Sequence, residues 1–301
     1  MGSGSGRRPE QNTDAKWKIT LAGRVRWGLI WGDAAGLPSA ADFPPYSYFV
    51  KTLLVIPCLR ERARLPTFLP ALLSALDETA PGGVEVLIVD DGSGAEEQEW
   101  LRGYVGNCRT DFPNLLPPVL LSENTGKGGA VYAGWTQAGA AHSHVGFVDA
   151  DGAIPPEETA RLCALATHSP TRTIYAVRTG TEDTVVQRHP GRGLAGQMFR
   201  LLVRSLFHFP VPETQCGCKI LPRTAWQACA PHLQEKRFCF DVELTWHLLH
   251  QGTEIHPVPV NWREIPGGQL RAGSIFSMIR SLIRLRLKLG PWQPGDPGTP
   301  H

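Results

Sequence analysis

Val145-Gly-Phe-Val-Asp-Ala-Asp-Gly152 is a short apolar run that ends in two carboxylates two positions apart. Its first half reads as a strand buried on both faces, and its second half as the turn at that strand's carboxyl end. The same pattern recurs upstream. Phe49-Val-Lys-Thr-Leu-Leu-Val-Ile56 is closed by Pro57, and Val84-Glu-Val-Leu-Ile-Val89 by Asp90-Asp-Gly-Ser93. Pro118-Val-Leu-Leu121 is a third strand, which makes Val145–Val148 the fourth. Between them, Leu69, Leu72, Leu73 and Leu76 fall at helical spacing in 66–79. A helix passes through Trp100 and Leu101, and a Gly- and Ala-rich helix runs from Gly126 to Ala140. Strand and helix alternate over about 100 residues. This predicts an α/β fold: a Rossmann-like, mostly parallel central sheet flanked by helices. In such sheets ligands bind beyond the carboxyl ends of the strands, and Asp90, Asp91, Asp149 and Asp151 all fall there.

Downstream, a helix after residue 155 leads to a strand at Thr173-Ile-Tyr-Ala-Val177. Residues 179–193 are polar and Gly-rich and read as a mobile loop. Helical spacing resumes from Leu194 to Phe207 and again over 240–250, and Ile255–Val260 is a late strand. The expected organisation has five parts: an irregular extension over 1–47; a nucleotide half over 48–155; an acceptor half over 156–268; a basic amphipathic segment over 269–290; and a flexible tail over 291–301. The Met-Gly-Ser-Gly-Ser-Gly start reads as flexible tail and not as a secretory signal, because no apolar core follows its charges.

The 301 residues are 42% hydrophobic, enough for one large core. With 30 Lys and Arg against 28 Asp and Glu, the net charge is +2, which excludes a nucleic-acid-binding polycation. Seven cysteines without a CxxC pair fit a reducing compartment and make no zinc site. No run approaches the roughly 20 apolar residues that span a bilayer.

Asp149 and Asp151 are the metal candidates. Carboxylates suit a hard cation such as Mg²⁺ or Mn²⁺, which neutralises a departing diphosphate. The plain alternative is a helix-capping pair in a surface turn. Asp90 or Asp91 is placed to meet a base or ribose, and an Asx-turn with Gly92 is compatible with that contact. Asn124-Thr-Gly-Lys-Gly-Gly129 lacks P-loop spacing, which argues against a P-loop kinase or ATPase. Its glycines allow close backbone approach, and Lys127 offers a point charge to an anion. Asp241 and Glu243 lie in Phe238-Cys-Phe-Asp-Val-Glu-Leu244. They read equally as acceptor-side acids, one of them a base, or as first-turn acids favoured by a helix dipole. There is no Gly-x-Ser-x-Gly elbow for a serine nucleophile.

An ordered set of segments carries a family resemblance. They are Val55-Ile-Pro-Cys58, Asp90-Asp-Gly-Ser93, Asn124-Thr-Gly-Lys-Gly128, Asp149-Ala-Asp-Gly-Ala153, Thr214-Gln-Cys-Gly217 with Lys219, Phe240-Asp-Val-Glu-Leu244 and Val260-Asn-Trp-Arg-Glu-Ile-Pro-Gly267. Together they resemble the family 2 glycosyltransferases of the GT-A fold, in the branch of dolichyl-phosphate glucosyltransferases and polyprenyl-phosphate glycosyltransferases. The resemblance implies inverting, metal-dependent sugar transfer from a nucleotide sugar, with UDP-glucose the preferred donor. It implies that Pro57, Cys58, Glu61, Asp90, Asp91, Gly126, Lys127, Asp149 and Ala150 line the nucleotide, with Asp149 and Asp151 on the metal. It also implies that Arg178, Arg188, Arg192, Thr214, Gln215, Asp241, Glu243 and Trp262 face sugar or acceptor; for a hydroxyl acceptor Asp241 is the candidate catalytic base. Two departures stand out. Glu213 replaces the usual Asp before Thr214, and Gly267-Gly-Gln269 replaces Gly-Ser-Lys.

The implied acceptor is lipid-linked, with polyprenyl phosphate, another lipid or a small hydroxyl compound as candidates. A sugar nucleotidyltransferase would need a Gly-rich signature near the first strand, which is missing here. A non-catalytic scaffold would not need intact acid pairs. From Arg271 to Lys288 there are five basic residues and no acids, interleaved with apolar ones. This segment reads as a basic amphipathic helix on an anionic membrane, with packing on the core as the alternative. The patch from Trp17 to Trp31 is a second basic segment, and pairing of the two in a homo-oligomer fits the charges equally. The expected place is the cytoplasmic face of a membrane, peripherally bound.

Overall fold

The computed structural model describes residues 51–181, 184–187, 193–265 and 272–293. The extension over 1–47 with its tryptophan patch, Arg188, Arg192, the Gly267–Gln269 departure and most of the 291–301 tail lie outside the described residues.

Strands β1 (Lys51–Cys58), β2 (Val84–Asp90), β3 (Val119–Leu120) and β4 (His142–Val148) alternate with helices α1 (Leu65–Thr79), α2 (Ala95–Asp111) and α3 (Lys127–Trp135). Then come α4 (Pro156–Thr167), β5 (Thr173–Val177), β6 (Val186–Gln187) and α5 (Gly193–Phe207). The described chain closes with β7 (Cys218–Pro222), α6 (Arg223–Cys229), α7 (Phe240–His250), β8 (Ile255–Pro259), β9 (Trp262–Arg263) and α8 (Ala272–Leu289). Seven strands form one sheet in the order β3-β2-β1-β4-β7-β5-β8. Only β7 runs antiparallel to its neighbours; the other pairings are parallel. Strands β6 and β9 form a separate parallel pair.

The sheet is covered on both faces, as its unbroken apolar strands require. One face packs Leu54, Ile56, Val86 and Ile88 against Leu69 and Leu72 of α1, Val105 of α2 and Leu162 of α4. The other packs Leu53, Val55, Val89 and Phe147 against Trp135 of α3, Phe199 of α5, Trp226 of α6, Phe240 of α7 and Leu282 of α8. Adjacent residues of β1 therefore serve opposite cores, as the two-residue period of a strand demands.

Several boundaries differ from the sequence reading for local reasons. Pro57 lies inside β1, paired with Val89, and does not close it. Pairing of β1 with β4 ends at Val55, so Pro57 sits where one side of the ladder is already open. Strand β4 starts at His142, three residues early, because its polar start is satisfied: His142 Nε2 lies 3.0 Å from Glu85 Oε2, and His142 Nδ1 accepts the Gly139 N–H. Helix α3 stops at Trp135 and not Ala140, where the Thr136 hydroxyl donates back to the Ala133 carbonyl. Strand β7 and helix α6 are additions. The segment after 179 is not wholly loop, since Val186 and Gln187 pair with Trp262 and Arg263.

Candidate active site at the carboxyl ends of the strands

Strands β1, β2 and β4 deliver Cys58, Asp90 and Val148 to one edge of the sheet. Because β7 is antiparallel to β4, with Val148 opposite Cys218, the loop before β7 arrives at that same edge. The Asp149 N–H donates to the Gly217 carbonyl over 2.9 Å, which joins the Asp149-Ala-Asp turn to the Thr214–Gly217 loop. Strand β5 is parallel to β8 and brings Arg178 to the site just past its last residue, Val177.

The two aspartates after β2 organise the loops. Asp90 Oδ2 accepts the Ser93 N–H at 2.9 Å and the Gln98 side-chain amide at 2.8 Å, which closes the turn into α2. Asp91 accepts the N–H groups of Thr125 (2.7 Å) and Gly126 (2.9 Å) and the Thr125 hydroxyl (3.0 Å). Its carboxylate therefore pins the Asn124–Gly129 turn to the end of β2. Burial raises the Asp91 pKa despite those bonds. Both aspartates are 3% exposed, and the turn bond comes from Ser93, three residues beyond Asp90, where an Asx-turn would take the N–H two residues on. Gly126 has φ of +98°, which favours glycine, and a Cβ there would lie 2.6 Å from the Lys236 carbonyl.

That turn aims Lys127. Its Nζ lies 2.6 Å from Asp149 Oδ1 and 5.1 Å from the centre of the Phe147 ring. Burial pulls the lysine pKa down, but Asp149, Asp241 and Asp151 outweigh it and the net shift is upward, so the amine is a cation. Asp151 accepts the Ala153 N–H through Oδ1 at 2.9 Å. Burial and then the neighbouring Asp149 carboxylate raise its pKa. Glu61 belongs to the same acidic field, but both its oxygens are held by Arg64. Pro57, Cys58 and Ala150 contribute backbone around these groups, and Cys58 and Ala150 are buried.

Asp149 and Asp151 are hard oxygen donors whose mutual repulsion a cation relieves, and each keeps one carboxyl oxygen outside the bonds just named. Among the described residues no group of three or more His, Cys, Asp or Glu forms a closed cage. The pair fits an open site for Mg²⁺, which characteristically takes one or two carboxylates and completes its shell with phosphate and water.

Two residues without a role in the sequence reading complete the floor and wall. Lys219, 1% exposed, lies opposite both Phe147 and Tyr175 and 5.0 Å from each ring centre. Its Nζ lies 2.5 Å from Asp241 Oδ1 and donates to the Cys216 carbonyl at 3.1 Å. Asp241 is itself 3% exposed, and burial raises its pKa against the pull of Lys219 and Lys127. Glu213 binds Arg178 through the Arg178 backbone N–H and its guanidinium, and Arg200 adds a contact at 3.2 Å. Burial pushes the Glu213 pKa up, but the two arginines outweigh it and hold it below the ordinary glutamate range. The Arg178 guanidinium stacks 5.0 Å over Trp262. The Thr214 hydroxyl is buried with no hydrogen-bond partner among the described residues, and Gln215 is half-buried beside it.

Glu243 stands apart. Its side chain is fully buried, its Oε2 accepts the N–H groups of Gln234 (2.8 Å) and Glu235 (2.6 Å), and its Oε1 lies 3.3 Å from Lys288 Nζ. The sequence read Asp241 and Glu243 together, as acceptor-side acids or as first-turn helix acids; both lie in the first turn of α7, and the fold sends them to different partners. The one sequence trace of Lys219 is that Cys218-Lys-Ile-Leu-Pro222 carries a single charge inside an apolar run; its aromatic and carboxylate partners come from other elements.

Comparison with known proteins agrees with this geometry. A sequence profile of glycosyl transferase family 2 matches residues 53–227. The human dolichyl-phosphate beta-glucosyltransferase is 30% identical over 276 residues, covering 87% of this chain and 82% of that protein. The Dictyostelium discoideum dolichyl-phosphate beta-glucosyltransferase is 28% identical over 253 residues, covering 80% and 76% respectively. Among solved structures, Mycobacterium tuberculosis glucosyl-3-phosphoglycerate synthase superposes with a TM-score of 0.56 at 15% identity, covering 82% of this chain and 83% of that one. A mannosyltransferase from Pyrobaculum calidifontis superposes at 0.55 and 15% identity, covering 81% of this chain and 66% of that one. These structural likenesses speak to the fold. The matched profile spans more than half of the chain, so the protein belongs to glycosyl transferase family 2 and is a glycosyltransferase with the GT-A fold.

Proposed function

We propose that the enzyme transfers glucose from UDP-glucose, with inversion, to a lipid-linked phosphate of the polyprenyl phosphate class. The observation that carries this reading is the Lys127–Asp149 pair beside Asp151, at the carboxyl end of β4. A cation and two carboxylates there suit a diphosphate better than a neutral ligand. Similarity to dolichyl-phosphate glucosyltransferases along most of the chain supports the choice of donor and acceptor.

In this reading Asp149 and Asp151 hold Mg²⁺ or Mn²⁺, which offsets charge developing on the departing diphosphate. The chain's own residues do the rest. Asp91 fixes the Gly126 turn so that Lys127 approaches the same phosphates. The Thr214 hydroxyl, buried and unpaired among the described residues, is left to bond donor or sugar, with Gln215 beside it. Glu213 holds Arg178 over the Trp262 ring, and Arg178 is proposed to meet the acceptor phosphate there. Arg188 and Arg192 are proposed for the same anion. A phosphate acceptor is already ionised and needs no base, so Asp241 serves as the counter-ion that keeps Lys219 in the floor.

A second reading has one observation in its favour. Burial raises the Asp241 pKa, the direction a general base requires, and Asp241 would then deprotonate a hydroxyl acceptor. The outward face of α8, with Phe276, Ile283 and Leu287 exposed, is proposed to rest on the membrane that holds the lipid acceptor.

Purified full chain would be assayed with Mn²⁺, a panel of nucleotide sugars, and either polyprenyl phosphate or simple alcohols. We expect UDP-glucose and polyprenyl phosphate to be the productive pair. Asp151→Ala should lower kcat/KM by at least about a hundredfold. Asp241→Asn leaves the buried Lys219 unpaired and should lower stability and rate with either acceptor, but should abolish turnover only if the acceptor is a hydroxyl. Transfer to alcohols alone, or from another nucleotide sugar alone, would overturn the reading.

A further inference from the structure

The turn that carries Lys127 is held from two sides. On one side is the Asp91 carboxylate. On the other is the segment Gln234–Lys236. The Lys236 carbonyl accepts the Gly129 N–H at 2.9 Å, and it occupies the space that a Cβ on Gly126 would need. What holds this second wall in place is a carboxylate outside the acidic cluster of the site. Glu243 Oε2 accepts the N–H groups of Gln234 and Glu235, the two residues just before Lys236.

Glu243 is fully buried, so its charge needs compensation. The amino end of α7 and the two N–H groups supply part of it. The formal positive charge comes from far along the chain: Lys288, in the last turn of α8, at 3.3 Å. Nearby, the Cys239 thiol lies 3.4 Å from the Met278 carbonyl, a second tie between α8 and the start of α7.

We propose that Glu243 and Lys288 are positioning residues for the donor site. They act as a strut from α8 through α7 to the Gln234–Lys236 wall, and so set the Gly126–Gly129 turn and the reach of Lys127 toward Asp149. The consequence for catalysis rests on the reading of Lys127 as a diphosphate contact; the strut itself does not. Neither residue touches substrate in this scheme. Lys288 is 39% exposed at its side chain, so its replacement is compatible with folding.

The test compares full-chain wild type, Lys288→Gln and Lys288→Arg, with Glu243→Gln as a harsher variant. Amide hydrogen exchange without ligand reads the strut directly. Lys288→Gln should speed exchange in 126–130 and 233–237 while 84–90 stays protected, and Lys288→Arg should restore the wild-type pattern. Titration with UDP and Mn²⁺ then reads the coupling. Lys288→Gln should weaken binding by about three- to fivefold with a modest loss of melting temperature, since Lys288 itself is partly exposed while Glu243 keeps its two N–H bonds. Unchanged exchange in both segments would overturn the strut. Faster exchange with unchanged UDP affinity would overturn its role in positioning Lys127. If wild type binds no UDP, the donor reading fails, and the exchange data still decide the strut.

Discussion

At the scale of single residues, the site is a problem of charge placed where water is scarce. Lys219 and Asp241 neutralise one another in the floor, and Lys127 meets the acids of the β4 turn. Glu213 is shared by Arg178 and Arg200 in the wall. Removing one member of a buried pair leaves the other charge uncompensated and costs more than the pair contributes. The Glu213 case has a clear pH signature. Its folded pKa lies below the ordinary value, so the stability it contributes is present above that value and is lost as pH falls through the depressed one. Wild type should therefore lose melting temperature as pH falls below the ordinary glutamate range, and Glu213→Gln should be less stable at neutral pH with a shallower slope there. Parallel slopes in the two melting series would contradict this. The acids after β2 and β4 were legible in the sequence because turn residues follow apolar runs. Lys219 and Glu213 were not given roles, because a buried charge is recognised only by its partner, and those partners lie in other elements.

At the scale of elements, the seam between β4 and β7 shapes the site more than either strand alone. Antiparallel pairing puts Gly217 beside Asp149, and a Cβ on residue 217 would collide with the Asp149 carboxylate. The collision is mostly with the end of a side chain, which can swing away. The expected result of Gly217→Ala is thus a small stability change with a misplaced carboxylate. Mn²⁺-dependent UDP affinity should fall about tenfold, equivalent to about 1.4 kcal/mol. Calorimetric titration beside a thermal melt checks both parts, and intact affinity would show that Asp149 tolerates the shift. Sequence periodicity found the parallel strands, since each is a long apolar run. It passed over β7, a five-residue strand with a lysine in it, whose place depends on neighbours from distant segments.

At the scale of the whole molecule, α8 shows the packing on the core that the sequence offered as one of its readings. Leu282 and Leu285 pack into the core and Lys288 turns to Glu243, whereas Phe276 is 74% and Leu287 82% exposed. One helix thus has an inner face bound to the domain and an outer apolar face flanked by the exposed Arg280 and Arg284. Met198 and Leu201 of α5 are exposed as well. No helix among the described residues is long and apolar enough to cross a membrane. If the outer face rests on a bilayer, the full chain should sediment with anionic vesicles, and Phe276→Asp with Leu287→Asp should weaken that binding by about tenfold or more. Equal sedimentation of variant and wild type would remove α8 from the contact.

The sequence by itself determined the alternation of strand and helix, the edge at which the acids gather and the order of the family motifs. Those features are local: they follow from apolar runs and from the turn chemistry that ends them. Only the tertiary structure decided that β7 inserts antiparallel, that Asp241 faces Lys219 while Glu243 faces the Gln234–Glu235 backbone and Lys288, and that Arg178 is clamped by Glu213. The physical reason is that the energy of a buried charge is set by groups distant in sequence, and no local pattern records which of them will meet.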